Sequence, residues 1–382
     1  MSITSALSSA LTGISAASRQ AEILSSNVAN ATTPGYARRE VQLSARELGG
    51  TGQGVRVVGV TRETDQYLIN ERRIADASNA DRGNRSDSLR RIEAAFGTPE
   101  QPGSLTARIA AFDQALIEAA GRPNEEARLA NVAFAAQSLA RGFNDATDAL
   151  QQDRATADRS IAFEVDTLNT ALRQVHDLNT QLRSFAGAGH DLSALLDQRQ
   201  QLVDSIAAIV PLREVPRGQN QIALVTLGGA TLLDGLPAEL GFVSSNTVVA
   251  ESSVLAGGLS GLRINGQTVA TSGDASPVLG GRLAALVAVR DDVLVQAQAK
   301  LDGLARDLVD RFADPALDPT RLPTDPGLFT DRGAVFLPTD EIGLAGRIAV
   351  NALADPGQGG ALHRLRDGLM ATAPGRRATQ VF

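Results

Sequence analysis

Apolar residues recur at heptad spacing in three segments of the chain, and this periodicity limits its fold more than any other feature of the sequence. Alternating steps of three and four residues place such side chains along one stripe of an α-helix and favour left-handed packing of helices side by side. The first segment contains Ile3, Leu7, Ala10, Ile14, Ala17, Ala21, Leu24 and Val28. The other two contain Leu129, Val132, Ala136, Leu139, Phe143, Ala146 and Leu150, and Ile161, Val165, Leu168, Leu172, Val175, Leu178 and Leu182. We therefore expect a mainly α fold with long helices.

The first heptad segment differs from a solvated coiled coil on its other faces. Between its apolar positions it carries Ser, Thr, Gln and Asn, and Arg19 and Glu22 are its only charged side chains. A two-stranded coil in water normally has charged flanks, whereas small neutral flanks avoid the cost of desolvating charge when other protein segments surround the helix. The helix is therefore either docked on its own core or inserted among neighbours in an assembly.

The composition agrees with a core of closely packed helices. Of 382 residues, 43% are hydrophobic but only 3% are aromatic, so Ala, Leu, Val and Ile must supply most of the core. The net charge of −7 argues against nucleic acid as the main partner, because phosphate binding needs a basic surface. The chain contains no cysteine, which excludes disulfides, thiolate metal sites and cysteine nucleophiles.

The sequence shows neither a membrane span nor a cleaved secretory signal. No apolar run reaches the ~18–20 residues that a transmembrane helix needs, so we expect no membrane insertion. The opening stretch MSITSALSSALTGISAASRQ lacks the basic start and the compact apolar core of a signal peptide. If the protein is exported, we expect a different route.

The pattern along the chain divides it into four segments. Residues 1–63 hold the first heptad helix, a turn and two β-like runs that predict a β arm. Helical patterns fill residues 64–211, and residues 212–277 are rich in Gly, Val, Thr and Ser, which predicts an inserted β subdomain. Helix returns in residues 278–382. The sequence thus predicts an α+β fold, mainly α, in which a long antiparallel helical bundle carries a small β insertion.

Residues able to do chemistry are few and scattered. None of the three histidines, His176, His190 and His363, stands at a spacing typical of a metal site. The glycine-rich stretch GGTGQG at 49–54 lacks the Lys-Ser/Thr ending of a phosphate-binding loop and fits a hairpin turn better. We expect no catalytic residue, no metal ligand and no cofactor, and hence not an enzyme. A cytosolic enzyme stays an alternative that a metal or cofactor bound to the purified protein would favour.

The stretch SSNVANATTPGYARRE at 25–40 ends the first helix and turns the chain at Pro34 and Gly35. A glycine after proline suits a type II-like turn, in which that residue takes a positive φ. The stretch resembles the Asn-x-x-Asn…Thr-x-Gly-Tyr-x-Arg signature of flagellar axial proteins, the subunits of rod, hook and hook–filament junction. The matching residues are Asn27, Asn30, Thr33, Gly35, Tyr36 and Arg38.

Three further stretches resemble one family within this class, flagellar hook-associated protein 1 (FlgK). They are DLSALLDQRQQLVDSIAAIVPL at 191–212, LGGRLAALVAVRDDVLVQAQAKLDGLARDLVDRF at 279–312 and IAVNALADP at 348–356. The resemblance implies a non-enzymatic structural protein with a helical main domain. It also implies that residues 1–63 are half of the inner domain that axial proteins share, with the first heptad stripe as an assembly seam.

The resemblance implies the partners and the location as well. Copies of the protein would form a ring between hook and filament, in contact with the hook protein and with a second hook-associated junction protein. An export chaperone is expected, because the chain would leave the cell unfolded through the flagellar type III apparatus, without a cleaved signal, and end in the extracellular flagellum. Family members close with a C-terminal heptad helix that pairs with the first helix. We do not find that helix in these 382 residues and expect the chain to be truncated.

Two other kinds of protein share part of this pattern. Another flagellar axial protein, such as the second junction protein, a hook protein or a rod protein, would share the turn motif but not the LLDQRQQLV segment. A helical surface adhesin or coiled-coil scaffold would explain the heptad stripes but not the Gly-Tyr-x-Arg turn.

Overall fold

The computed structural model describes residues 3–48, 51–185, 191–273 and 275–373. Long helices and small antiparallel sheets confirm the mainly α (α+β) fold expected from the sequence. The helices are α1 (Ile3–Ala29), α2 (Gln66–Phe96), α3 (Leu105–Gly121), α4 (Glu126–Phe185), α5 (Ser193–Ile209), α6 (Gly281–Ala288), α7 (Leu294–Ala313) and α8 (His363–Asp367). The strands are β1 (Arg38–Leu48), β2 (Thr51–Glu63), β3 (Leu212–Pro216), β4 (Ile222–Thr226), β5 (Thr231–Asp234), β6 (Leu236–Pro237), β7 (Leu240–Gly241), β8 (Arg263–Ile264), β9 (Gln267–Thr268), β10 (Phe329–Asp331) and β11 (Ile348–Val350).

The second and third heptad segments lie on one helix, α4, which is 60 residues long. The residues between Leu150 and Ile161 include neither Gly nor Pro, so no residue there interrupts the helix. Every apolar residue of these two heptad segments is buried. The heptad pattern therefore marks a stripe of α4 that is covered within the monomer.

The chain divides into two compact units, each made of discontinuous segments. The first unit comprises Met1–Arg82, Ala162–Phe242 and Gly261–Ala285, and the second comprises Gly83–Ile161, Val243–Ser260 and Leu286–Phe382. Both α2 and α4 contribute residues to each unit. These units do not follow the four consecutive segments expected from the sequence, and that four-part division stays a prediction.

The first unit contains the β1–β2 hairpin and the strands of residues 212–268. Strands β3 to β6 form one antiparallel sheet in chain order, and β7 to β9 form another. Two amides on α4 hold these sheets: Asn169 exchanges hydrogen bonds with the backbone of Leu240 at 2.8 and 2.9 Å, and Asn179 Nδ2 donates to Ile222 O at 2.9 Å. Buried backbone groups at the strand edges are thereby satisfied.

The two ends of this β region lie next to each other. A Cβ placed on Gly281 would lie 2.4 Å from the carbonyl oxygen of Ile209. One placed on Gly280 would lie 3.1 Å from Pro211 Cγ, and both glycines have positive φ angles, +75° at Gly280 and +71° at Gly281. The close approach and the left-handed backbone both require glycine here. The LGG sequence thus lets the chain return beside the end of α5.

The second unit has a core built mainly from aliphatic residues of α3, α4 and α7. Three phenylalanines, Phe112, Phe312 and Phe329, meet inside it with ring centroids 5.4 to 5.6 Å apart in tilted or edge-on pairs. Such geometry suits the aromatic quadrupole and adds to the burial of apolar area. These rings join the helices to the β10–β11 pair, and β11 lies in the IAVNALADP stretch.

A buried ionic network in the second unit holds residues 243–260, here called the strap. Helix α6 continues into α7 through a π-helical turn, Val289–Val293, that carries the buried Arg290. Arg290 Nη1 donates to Asp158 Oδ1 at 2.6 Å, and Asp158 Oδ2 accepts a hydrogen bond from Ser245 N at 2.6 Å. Arg154 donates to the carbonyl oxygens of Val249 and Ser252 at 2.9 and 2.6 Å. Charged groups of two helices therefore fix the backbone of a segment that has almost no regular structure.

Candidate assembly site

Helix α1 packs through a stripe other than its apolar seam. Apart from Asn27, the less exposed positions of α1 and of the residue just after it also repeat at heptad spacing, and they are Ser5, Ser9, Thr12, Ala16, Arg19, Ile23, Ser26 and Asn30. Ala16 and Ile23 are buried at 3% and 7% exposure, and Thr12 Oγ1 accepts a hydrogen bond from Val55 N at 3.2 Å. The small neutral residues of the sequence thus partly serve to seat α1 on the β1–β2 hairpin. We call α1, the turn after it and this hairpin the N-terminal segment.

The apolar seam lies on the opposite side of α1 and is exposed along its whole length. The exposed fractions of its large side chains are 88% for Ile3, 59% for Leu7, 64% for Ile14, 64% for Leu24 and 70% for Val28. Ala10, Ala17 and Ala21 are exposed as well. An apolar stripe of this length facing solvent is a feature of surfaces that bind other protein segments.

The turn motif forms a polar network at the C-terminal end of α1. Asn27 Oδ1 accepts hydrogen bonds from Tyr36 Oη and Arg39 N, both at 2.9 Å, and Asn27 Nδ2 donates to Arg39 O at 2.9 Å. The guanidinium of Arg39 lies over the Tyr36 ring, 4.9 Å from its centroid. The amide of Asn27 therefore satisfies both backbone groups of Arg39 and fixes where β1 begins.

The remaining motif residues shape the turn or lie outside the network. Asn30 Nδ2 donates to Ser26 O at 3.0 Å, and Thr33 Oγ1 donates to Asn30 Oδ1 at 3.2 Å, which completes the C-terminal end of α1. Gly35 has a φ of +77°. The side chain of Arg38 is 67% exposed and forms an ion pair with Glu40, so it takes no part in the network.

Helix α5 meets this turn with three side chains on one face. Asp197 Oδ1 accepts hydrogen bonds from Ala37 N at 3.2 Å and Arg62 Nε at 2.8 Å, and Asp197 Oδ2 accepts one from Arg39 Nη2 at 2.9 Å. Gln200 and Gln201 follow at helical spacing. Gln200 Oε1 accepts from Arg62 Nη2 at 2.9 Å, and Gln201 Nε2 donates to Pro34 O at 2.6 Å.

The two sequence motifs that resemble flagellar proteins thus contact each other. Ala37 and Arg39 of the turn motif donate to Asp197 of LLDQRQQLV, and Gln201 of LLDQRQQLV donates to Pro34 of the turn motif, although the two stretches are far apart in sequence. The turn signature predicts a role for Asn27 and Tyr36 but not for Arg39, Arg62 or Asp197. Only the position of Asp197 in a quoted motif pointed to it.

The acidic start of α5 belongs to the same charged region. Burial would by itself raise the pKa of Asp191, but hydrogen bonds from Ser193 and the positive charges of Arg39 and Arg19 hold that pKa below its usual value. Arg19 Nη2 lies 4.0 Å from Asp191 Oδ2. The carboxylates at positions 191 and 197 therefore both face cations of the N-terminal segment.

Within the described residues, no group of three or more His, Asp or Glu side chains is placed to hold a metal ion. His176 Nδ1 lies 2.7 Å from Gly235 O, a contact that secures a turn, and His190 is outside the described residues. A pocket of about 480 Å³ in the second unit is lined by Glu251, Asp331, Arg347 and neighbouring residues. No helix of the described part is both long and apolar enough to cross a membrane.

The comparisons with known proteins first define the class. Residues 7–36, which form most of α1 and the turn, match the family described as flagella basal body rod protein. This is the part of the chain that holds the exposed seam and the Asn27–Tyr36 network. Most of α1 and the turn are therefore similar to this flagellar family.

The helical part of the chain defines the family. Residues 89–315, more than half of the chain, match the family described as flagellar hook-associated protein FlgK helical domain, and the chain belongs to the FlgK family. Flagellar hook-associated protein 1 of Salmonella typhimurium is 26% identical over 243 residues, which are 62% of this chain and 44% of that protein. The protein of the same name from Bacillus subtilis is 26% identical over 240 residues, which are 60% of this chain and 47% of that protein. The chain thus matches less than half the length of these relatives.

A solved structure supports the fold. It is that of the flagellar hook junction protein FlgK from Burkholderia pseudomallei, with a TM-score of 0.55 and 21% sequence identity. The similar region covers 68% of this chain and 46% of that one.

Proposed function

We propose that this protein is a structural subunit of the bacterial flagellum that joins the hook to the filament. Membership of the FlgK family supports the flagellar location, and the relatives' names refer to the hook. The observation that carries the proposal is the exposed seam of α1, because a helix seated on its own hairpin by one stripe has the opposite apolar stripe free for neighbours.

In this proposal the two parts of the chain have different tasks. Helix α4, whose heptad stripes are buried, would belong to the body of the subunit, while the seam residues Ile3, Leu7, Ala10, Ile14, Ala17, Ala21, Leu24 and Val28 would make contacts within the assembly. Asn27, Asn30, Thr33, Gly35 and Tyr36 would set the turn from α1 into β1, and the exposed side chain of Arg38 would contact a neighbour. Residues 1–63 would act as the inner-domain part, residues 64–211 and 278–382 as the helical main domain, and residues 212–277 as its β insertion.

The proposed partners are further copies of the protein in a ring, the hook protein and a second hook-associated junction protein. Export would occur through the flagellar type III apparatus with the help of a chaperone, and the mature protein would be extracellular. No catalytic group is needed for such a role, and we propose that the protein is not an enzyme.

Deletion of the gene tests the proposal. We expect complete hooks without filaments and flagellin released into the medium, because a junction subunit is required only after the hook is finished. The tagged protein should form a short zone at the distal end of the hook in electron micrographs. Normal filaments in the deletion strain would refute the proposal, and loss of the hooks themselves would instead indicate a rod or hook subunit.

A further inference from the structure

We propose that Asp197 is a positioning residue whose carboxylate fixes the orientation of the N-terminal segment relative to α5. The consequence for assembly rests on the proposed function, since a junction subunit must present its seam at a defined angle to its neighbours. The positioning itself rests only on the contacts of Asp197.

The hairpin brings two positive charges together at its open end. Arg39 of β1 and Arg62 of β2 are cross-strand partners in the register of the sheet. Their side chains are only 16% and 13% exposed. Like charges that face each other across two strands destabilise a hairpin, and partial burial strengthens their repulsion.

Asp197 is the counterion that these two arginines share. It lies 2.9 Å from Arg39 and 2.7 Å from Arg62, and among the described residues neither arginine makes another ion pair. The same carboxylate accepts a hydrogen bond from Ala37 N in the turn. One side chain of α5 thus holds the turn, the start of β1 and the end of β2.

The other polar contacts between α5 and the N-terminal segment are weaker. Gln200 and Gln201 are neutral, and the ion pair of Arg19 with Asp191 spans 4.0 Å between partly exposed groups. Loss of the charge at position 197 therefore leaves Arg39 and Arg62 without an ion-pair partner among the described residues, since Asp191 attracts Arg39 but forms no ion pair with it. The hairpin can relieve the remaining repulsion by moving away from α5.

Spin labels on the 382-residue chain can measure this. The chain has no cysteine, so cysteines placed at the exposed positions Gln20 of α1 and Gln198 of α5 give one labelled pair. The parent should give a narrow distance distribution by pulsed electron paramagnetic resonance. Asp197→Asn should broaden it about twofold, because the uncompensated arginines no longer hold one orientation. The matched control Asp177→Asn, at an exposed position of α4, should leave it unchanged.

Two further variants separate positioning from folding. Arg62→Gln added to Asp197→Asn should narrow the distribution again, because it removes the repulsion between the strands, and Asp197→Glu should stay close to the parent because it keeps the charge. Hydrogen exchange of α4 should be the same in every variant. An unchanged distribution in Asp197→Asn, or loss of α4 protection together with the broadening, would overturn the proposal. The measurement needs no flagellum, so its failure is distinct from failure of the proposed function.

Discussion

At the scale of single residues, Gly35 combines two requirements that only glycine meets. Its φ of +77° lies in the left-handed region, and a Cβ at this position would lie 2.4 Å from Gln201 Cγ. Gln201 in turn donates to the carbonyl oxygen of Pro34 at 2.6 Å. A side chain at position 35 therefore has two effects: it strains the turn, and it displaces Gln201 and so separates the turn from α5.

We expect Gly35→Ala to destabilise the docked N-terminal segment by roughly 1–3 kcal/mol, since backbone strain and the displaced glutamine add. Hydrogen exchange of the β1 and β2 amides measures the effect as a loss of protection. The matched control is Gly13→Ala in α1, where a Cβ would meet nothing within 4 Å. That substitution should stabilise the helix by about 0.5–1 kcal/mol. Equal protection in the two variants would contradict this account of the turn.

Single residues also show which features of the site the sequence predicts and which it does not. Gly35 was predictable because Pro-Gly imposes a turn by local sterics. Arg39, rather than its neighbour Arg38, enters the network because the strand alternates its side chains between two faces, and the register that decides between them depends on the β2 partner and on α5. Asp197 could not be paired with Arg62 from spacing, since their proximity is a tertiary contact.

At the scale of elements, the buried charges around the π-helical turn were invisible in the heptad pattern. Asp158 has no exposed area and accepts hydrogen bonds from Arg290 and from Ser245 N. A heptad pattern locates apolar stripes, but it does not show that Arg154 and Asp158, which lie between the two stripes of α4, are buried. The strap of residues 243–260 accordingly read as part of a β insertion, although it has no strands of its own.

Asp158→Asn should lower the unfolding free energy by about 1.5–3 kcal/mol, because it removes one of the two carboxylates that pair with the buried Arg290, the other being Asp291, while preserving size. Urea unfolding of the 382-residue chain, followed by circular dichroism, measures the change. Asp166→Asn on the same helix is the control, since that side chain is exposed and should change stability by less than about 0.5 kcal/mol. Similar midpoints for the two variants would show that the network does not stabilise the fold.

A second buried carboxylate ties α7 to the segment before β11. Asp302 accepts hydrogen bonds from Gly343 N at 2.8 Å, Ala345 N at 2.9 Å and Gln298 Nε2 at 2.9 Å. Burial raises the pKa of Asp302 above its usual value in spite of these bonds and of the positive charge of Arg347. The folded state therefore holds this proton at a pH where the unfolded chain has released it.

The sign of the pH dependence follows from this raised pKa. Between the unfolded and the folded pKa the native state binds more protons, so the stability contributed by Asp302 falls as the pH rises above about 4. We expect the difference in unfolding free energy between the parent and Asp302→Asn to shrink over this range. Urea unfolding at a series of pH values measures it, and a difference that grows with pH would show that the carboxylate is favoured in its charged form.

At the scale of the whole molecule, the heptad stripes differ in their exposure to solvent. The stripes of α4 are buried inside the units, whereas the stripe of α1 is exposed and its opposite side is seated on the hairpin. The sequence predicted the helix in each case but could not tell which partner covers the stripe. In the sequence, only the small neutral residues beside its stripe distinguish α1 from α4. These residues allow the other side of α1 to pack closely against the hairpin.

The exposed seam gives a prediction that separates assembly from stability. Leu7→Asp and Leu24→Asp change side chains that are 59% and 64% exposed, so each should alter the unfolding free energy of the isolated chain by less than about 0.5 kcal/mol. In cells the same changes should abolish filaments, because burying a carboxylate against a neighbour without a counterion costs far more. Ser15→Asp is the matched control: it adds the same charge to α1 at an exposed position on neither stripe, and it should preserve motility. Complementation of the deletion strain, scored by swimming and by electron microscopy, distinguishes the outcomes. Normal filaments with both leucine variants would show that the seam does not take part in assembly, whereas loss of filaments with Ser15→Asp alone would place the contact on a different side of the helix.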